Sequence, residues 1–191
     1  MTLKPHVSNI VRSSTFHIRN IGKIRKYLNR NATEQLIHAF ITSRLDNGNS
    51  LLFGLPANQL SRLQRIQNTA ARILTLSQRS CHITPILKEL HWLPVEYRIV
   101  FKVLLIVFKS MNNVAPLYIS ELLEKYVPCR TLRSENKLLL QERISNSSWG
   151  DRSFAIAAPK LWNELSMELK SAQSVDSFKK LLKTHLMNAA F

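Results

Sequence analysis

A chain of 191 residues, 45% hydrophobic and 20% charged, can bury a real core in one domain or two small ones. Its 4 glycines argue against a turn-rich β-sandwich and for a helical protein. A net charge of +15, with a sequence pI near 10.4, points to a polyanionic partner or surface and does not argue for a fold.

The first predicted helix runs from Pro5 to Leu28. Val7, Ile10, Val11, Ile18, Ile21 and Leu28 share its apolar face. Arg12, Arg19, Lys23, Lys26 and Arg30 form a narrow basic stripe with Phe16 beside it, and no acid occurs before Glu34. Such a line of like charges is either a solvated face or a row on which phosphates lie. An acid-free amphipathic start rich in Arg and Ser also describes a mitochondrial transit peptide. Gly22 and the run to Leu28 fit better with a helix packed inside a domain. Asn31 with Glu34 reads as a capping box for a second helix, Ala32 to about Leu45, with Leu36, Ile37, Phe40, Ile41 and Leu45 inward. Asp46-Asn47-Gly48-Asn49 ends it.

Ser50 to Leu55 is an apolar connector to Pro56 and the stretch Leu60 to Leu76. There Leu60, Leu63, Ile66, Ala70, Ile73 and Leu74 fall on one face, and Arg62, Arg65 and Arg72 on another, with Asn68 and Thr69 beside them. Two of three helices thus carry a basic stripe away from the core. Residues 1–80 hold twelve Lys and Arg against Glu34 and Asp46 alone, whereas residues 81–191 hold fifteen against ten acids. Two domains are therefore expected, 1–80 and 81–191, with the basic function in the first.

Beyond Arg79, Thr84-Pro85 caps a short helix to Leu90 and His91-Trp92-Leu93-Pro94 is a break. Val95 to Met111 is apolar nearly all round and so expected to be buried. Asn112-Asn113 stops it, and Ala115-Pro116 restarts a helix to about Tyr126. Pro128 to Gly150 is polar and irregular. Leu138-Leu139-Leu140 and Arg152-Ser153-Phe154 can pair as a short hairpin around Ser147-Ser148-Trp149-Gly150. Ala157-Pro159 opens a helix through Trp162 and Leu165. Ser174 caps the last, which buries Phe178, Leu181, Leu182 and Leu186 and leaves Lys179, Lys180 and Lys183 outside.

Chemistry is hard to find. Metal-dependent polymerisation needs clustered carboxylates, and Asp46, Asp151 and Asp176 each stand alone. No Gly-rich phosphate loop occurs. Cys81-His82, His91 and Cys129 lack zinc spacing, and Cys81 reads as a buried thiol. Two distant cysteines make no secreted disulfide framework, so a reducing, intracellular setting, cytoplasmic or nuclear, is expected. No run of 18 apolar residues could span a bilayer; Ile99 to Phe108 is too short and carries Lys102. His6, His17, His38 and His185 sit singly on helices. Trp92, Trp149 and Trp162 read as core anchors, with stacking on bases as the alternative role. No catalytic residue, metal ligand, cofactor or small-molecule site is assigned.

An ordered series of short blocks carries a family resemblance. It runs through Leu3-Lys4-Pro5-His6-Val7, Ile21-Gly22-Lys23-Ile24-Arg25-Lys26-Tyr27-Leu28 and Ser43-Arg44-Leu45-Asp46. Asn49-Ser50-Leu51-Leu52-Phe53-Gly54-Leu55-Pro56 and Leu63-Gln64-Arg65-Ile66-Gln67-Asn68-Thr69-Ala70-Ala71-Arg72 follow. Later come Leu90-His91-Trp92-Leu93-Pro94-Val95, Ala115-Pro116-Leu117-Tyr118-Ile119, Leu132-Arg133-Ser134, Gly150-Asp151-Arg152-Ser153-Phe154 and Ala158-Pro159-Lys160-Leu161-Trp162-Asn163. Each block is weak alone. In this order, over nearly the whole chain, they resemble the C-terminal part of the polyprotein of jockey-like, LINE-type non-LTR retrotransposons, just after the reverse-transcriptase palm.

The resemblance implies a mainly α protein. Residues 5–78 would be a thumb-like helical bundle lying against the template–primer duplex, and residues 81–191 a helical C-terminal extension, in which the residue pattern places the short hairpin. The family's aromatic-Ala-Asp-Asp motif and its endonuclease domain have no counterpart here. Asn47-Gly48 stands where the family often has Tyr-Cys, and Met1 falls inside the family's pattern, as in a truncated copy or a partial gene model that starts at an internal methionine. The expected activity is sequence-independent binding of duplex or RNA–DNA hybrid through Arg12, Arg19, Lys23, Lys26, Arg30, Arg62, Arg65 and Arg72, without catalysis, with the missing polymerase palm as a further partner. The rival readings are a helical scaffold with no binding activity, action in trans with an intact polymerase, which nothing in the sequence supports, and attachment of the first helix to an anionic membrane surface.

Overall fold

The computed structural model describes residues 3–127, 138–147 and 149–191, and among them it is helical with no strand. Leu132-Arg133-Ser134, Cys129 and Ser148 lie outside the described residues. Two compact units form, residues 1–99 with 187–191, and residues 100–186.

In the first unit, α1 (Lys4–Ile24) buries Val7, Ile10, Ser14, Ile18 and Ile21 and packs mainly on α4 (Ala57–Thr75). A 3-10 turn, Arg25–Tyr27, follows α1 where the sequence predicts continued α-helix to Leu28. The second helix starts earlier than expected, as α2 (Arg30–Ile37). Its cap is Asn29, whose Oδ1 accepts from the Ala32 N–H at 2.7 Å. Asn31 is the second helical residue, so the capping box is not made, and Glu34 faces His38 instead.

A π turn, His38–Thr42, joins α2 to α3 (Ser43–Asp46). Thr33, Ile37, Ile41 and Leu45 are all buried, a strict four-residue spacing. In a regular α-helix each such step overshoots by about 40°, and the wider π turn brings the row back into line. Phe40, expected inward, is carried out of that row to the surface.

Leu52 and Leu55 close the core before α4, whose Leu63, Ile66, Ala70, Ala71 and Leu74 are buried as the periodicity requires. Leu60 and Ile73 pack at its edge. The helix ends at Leu76, which adopts the left-handed conformation (φ 56°) while the Ser77 N–H reaches back to the Arg72 carbonyl at 3.1 Å. The same closure ends α5 (Ile83–Glu89) at His91 and α6 (Val95–Met111) at Asn113. Thr84, expected as a cap, is the second residue of α5 and caps nothing.

The compact units do not follow the compositional boundary at residue 80. Ile86, Leu87, Trp92, Val95 and Ile99 belong to the same core as α1 and α4. The break before α6 is held from α4. The Gln67 Nε2 donates to the Leu93 carbonyl at 2.8 Å, and the Gln64 Oε1 accepts from the Val95 N–H at 2.8 Å. Asp46 pairs through both carboxylate oxygens with Arg98, fixing the end of α3 to α6.

In the second unit, Phe108 stacks on Phe178 with centroids 4.1 Å apart, and Trp162 leans on Phe178 at 6.2 Å. Val103, Leu104, Val107, Leu182 and Leu186 are buried in the same unit. The helix expected from Pro116 to Tyr126 is one turn, α7 (Leu117–Ser120). The backbone beyond it pairs elsewhere, the Tyr126 N–H to the Leu139 carbonyl at 3.0 Å and the Gln141 N–H to the Glu124 carbonyl at 2.8 Å. That pairing replaces the expected hairpin: Leu140 bridges Lys125, and Gly150–Arg152 is a 3-10 turn.

α8 (Phe154–Asn163) carries Pro159 within it rather than at its start. Its Asn163 side chain grips both backbone groups of Leu140 at 2.9 Å. A further single turn, α9 (Met167–Lys170), has no counterpart among the predicted helices. Ser174 caps α10 (Val175–Ala190) as expected, accepting from the Ser177 N–H at 3.1 Å. Cys81 is exposed, not buried. Of the three tryptophans expected in the core, Trp149 is 53% exposed, with the Arg152 guanidinium over its ring.

Candidate nucleic-acid interface

The eight predicted contact residues do not behave alike. Arg12, Arg19 and Lys23 project from one exposed line of α1, and among the described residues none has a hydrogen bond or ion pair. Lys26 is exposed in the 3-10 turn, its ammonium 4.8 Å from the centre of the Tyr27 ring. Arg65 is exposed on α4. These five are open to a ligand.

The other three are engaged. Arg30 pairs with Glu89 at 3.1 Å, across 59 residues of sequence. Arg62 spans the α1–α4 seam, with Nη1 and Nη2 each 3.3 Å from the Ser8 Oγ and Nη1 also 3.2 Å from the Gln59 Oε1. Arg72 is half-buried and donates from Nη2 to the Cys81 carbonyl at 3.1 Å, while its Nε is buried without a partner.

α1 and α4 leave between them a groove of about 540 Å³, lined by Ile18, Arg19, Gly22, Thr69, Arg72, Ile73, Ser77 and Arg79. Three guanidinium-bearing side chains thus converge on one concavity floored by apolar carbons. Arg65, Thr69 and Arg72 follow the spacing i, i+4, i+7 and so continue the groove's α4 wall by one turn. Arg79 was not singled out by sequence reasoning, because it lies beyond the end of the helix where periodicity gives no direction.

Arg25, also within the basic block, turns inward. It donates from Nε to the Ile73 carbonyl at 3.0 Å, from Nη2 to the Leu74 carbonyl at 3.2 Å and from Nη1 to the Leu28 carbonyl at 2.8 Å. It therefore closes the C-terminal end of α4, where carbonyls have no helical partner.

Little opposes this charge. Of the two acids among residues 3–80, Glu34 lies 3.6 Å from His38 and Asp46 is held by Arg98. The first unit carries fourteen Lys and Arg against four acids, ten of the chain's fifteen net positive charges. Among the described residues no three His, Cys, Asp or Glu come together as a metal site, and no helix is long and apolar enough to cross a membrane. No protein-family model, no curated protein and no solved structure matches the chain.

Proposed function

We propose that the chain is a catalytically incomplete relative of the retrotransposon RNA-directed DNA polymerase, acting in the cytoplasm or nucleus. It binds nucleic-acid duplex or RNA–DNA hybrid without sequence preference, through the open cations of α1 and α4. One observation carries the reading. Arg12, Arg19, Lys23 and Arg65 stand exposed with no acid partner, while of the two carboxylates of the same stretch Asp46 is held by Arg98 and Glu34 lies beside His38. Like charges held in line with no internal neutralisation repel one another, and a phosphate backbone is the ligand that relieves this. The ordered family blocks add support, and the isolation of every aspartate argues against polymerisation by the chain alone.

The test is fluorescence anisotropy of the purified chain with a short RNA–DNA hybrid across a salt series. The open cations with Arg72 would engage about five or six phosphates, so affinity should fall roughly 500- to 2,000-fold between about 50 and 200 mM salt. Arg19→Glu with Lys23→Glu should weaken binding to all sequences alike. Arg30→Glu should matter far less, because Arg30 already has Glu89. A folded, monodisperse sample that binds nothing, or whose loss under charge reversal depends on sequence, refutes the proposal.

A further inference from the structure

Phe16 stands within the basic row of α1. Arg12, Phe16, Arg19 and Lys23 follow the spacing i, i+4, i+7, i+11, a single line on an α-helix, and all four are exposed. Phe16 is 62% exposed, a large apolar area between two guanidinium groups. His17 meets its ring edge-on with centroids 5.4 Å apart, and stacks on Phe40 at 4.8 Å and 19°. Phe40 is 40% exposed and reaches this position because the π turn carries it out of the core row. The Arg44 Nη2 lies 3.4 Å from the His17 Nε2 and adds a cation at the far edge.

The three rings form one contiguous cluster through His17, with Arg12 and Arg19 flanking Phe16 along α1 and Arg44 beside His17. Phosphates can satisfy the cations, but they leave the rings bare. Within a duplex the interior base faces are already stacked on one another, so a blunt duplex offers the rings only its two end pairs. An unpaired nucleotide offers both groups at once: a phosphate for the guanidinium and a π face for the ring.

We propose that Phe16, His17 and Phe40 are a stacking platform for unpaired bases, so that this face takes single-stranded nucleic acid, or the overhang beside a duplex, in preference to a blunt duplex. The proposal rests on the nucleic-acid reading above and extends it from charge to base stacking.

The experiment compares two probes at one ionic strength: a fluorescein-labelled oligothymidylate of about twelve nucleotides and a blunt duplex of the same length. Phe16→Ala and Phe40→Ala should each weaken oligothymidylate binding by roughly 5- to 100-fold and leave the duplex within about twofold. Phe16→Trp should keep or raise the single-strand affinity. Both phenylalanines are partly or largely exposed, and circular dichroism of each variant checks that the fold is kept. Equal losses on both probes, or no loss on either while the wild type binds, overturns the stacking platform and leaves the phosphate reading standing. A wild type that binds neither probe removes both.

Discussion

Arg25 offers the sharpest separation between charge used for folding and the charge assigned to a ligand in the proposed function. Arg25→Ala removes three hydrogen bonds from a charged donor to the carbonyls of Ile73, Leu74 and Leu28. A bond of that kind contributes about 1.5–3 kcal/mol when shielded from water. Arg25 is half-buried, so the released carbonyls regain part of their hydration. We therefore expect a total loss near 2–3 kcal/mol, rather than the sum of three full bonds. For a chain of this length that lowers Tm by about 4–12 °C. Arg25→Lys keeps a cation near the end of α4, worth about 0.3–1 kcal/mol, but its compact head cannot reach three carbonyls and should recover only about a third of the loss. Arg19→Ala is the control: it is exposed and unpaired, so it should change stability by less than about 0.5 kcal/mol while weakening nucleic-acid binding. Urea titration and thermal melts followed by circular dichroism read the stability; anisotropy on folded protein reads the binding. If Arg25→Ala is no less stable than Arg19→Ala, the assignment of Arg25 as the clamp on α4 is wrong.

Two further changes test the fold's local chemistry. Leu76 is exposed and takes a left-handed conformation that costs a side chain with a Cβ about 1–2 kcal/mol, so Leu76→Gly should raise stability by about 1 kcal/mol, or Tm by about 2–4 °C, by thermal melt; a loss would mean the Leu76 side chain packs more than its exposure indicates. At the start of α10, a hydrogen bond from the Lys179 Nζ and that ammonium's charge, helped by Lys180, hold the Asp176 carboxyl below its ordinary range. A carboxyl lowered on folding stabilises above its unfolded value, near pH 4, and that contribution fades as pH falls through the lowered folded value. The group is fully exposed, so Asp176→Asn should flatten the acid side of the stability–pH curve slightly in dilute buffer and not at all near 1 M salt. A loss that persists in high salt would refute the electrostatic origin.

What could be read from the sequence was what depends on neighbours within a turn or two. The apolar faces of α1, α4 and α10 follow the 3.6-residue period, and α6 announced itself by being apolar almost all round. The Ser174 cap needed only the three residues after it. What escaped were choices settled at a distance. By local pattern Asn31 is the better cap, because Glu34 follows it at the capping-box spacing; the Arg25 grip on the Leu28 carbonyl helps fix where the chain turns, and the helix starts after Asn29. Phe40 fits the apolar face of a regular helix, and only the π turn puts it outside. The segment after α7 has helical periodicity, but its backbone bonds go to residues 139–141. Gln64 and Gln67 carry no signal in their local spacing, and they hold the break before α6.

The same rule governs the basic face. Local spacing puts Arg30 at the end of the α1 stripe and Arg62 on the α4 stripe, yet Glu89 occupies one and Ser8 with Gln59 the other. Nothing within a helical turn of either residue signals those partners. Conversely Arg79 and Arg44 were passed over, because one follows a helix end and the other sits beyond the π turn, where the period breaks. Once the engaged arginines are set aside, the cations that remain do not scatter. Arg12, Arg19 and Lys23 line α1, Arg65 continues the wall that Thr69 and Arg72 build, and Arg79 closes the groove. A surface charged only to stay soluble would intersperse acids among these positions. Here the two acids of the same stretch lie apart from the row, Glu34 beside His38 and Asp46 held by Arg98, and the one large apolar side chain in the row, Phe16, faces outward between two guanidinium groups. Solvation alone gives no reason to expose a phenylalanine in a line of arginines, whereas a ligand with alternating phosphates and flat bases gives a reason for both.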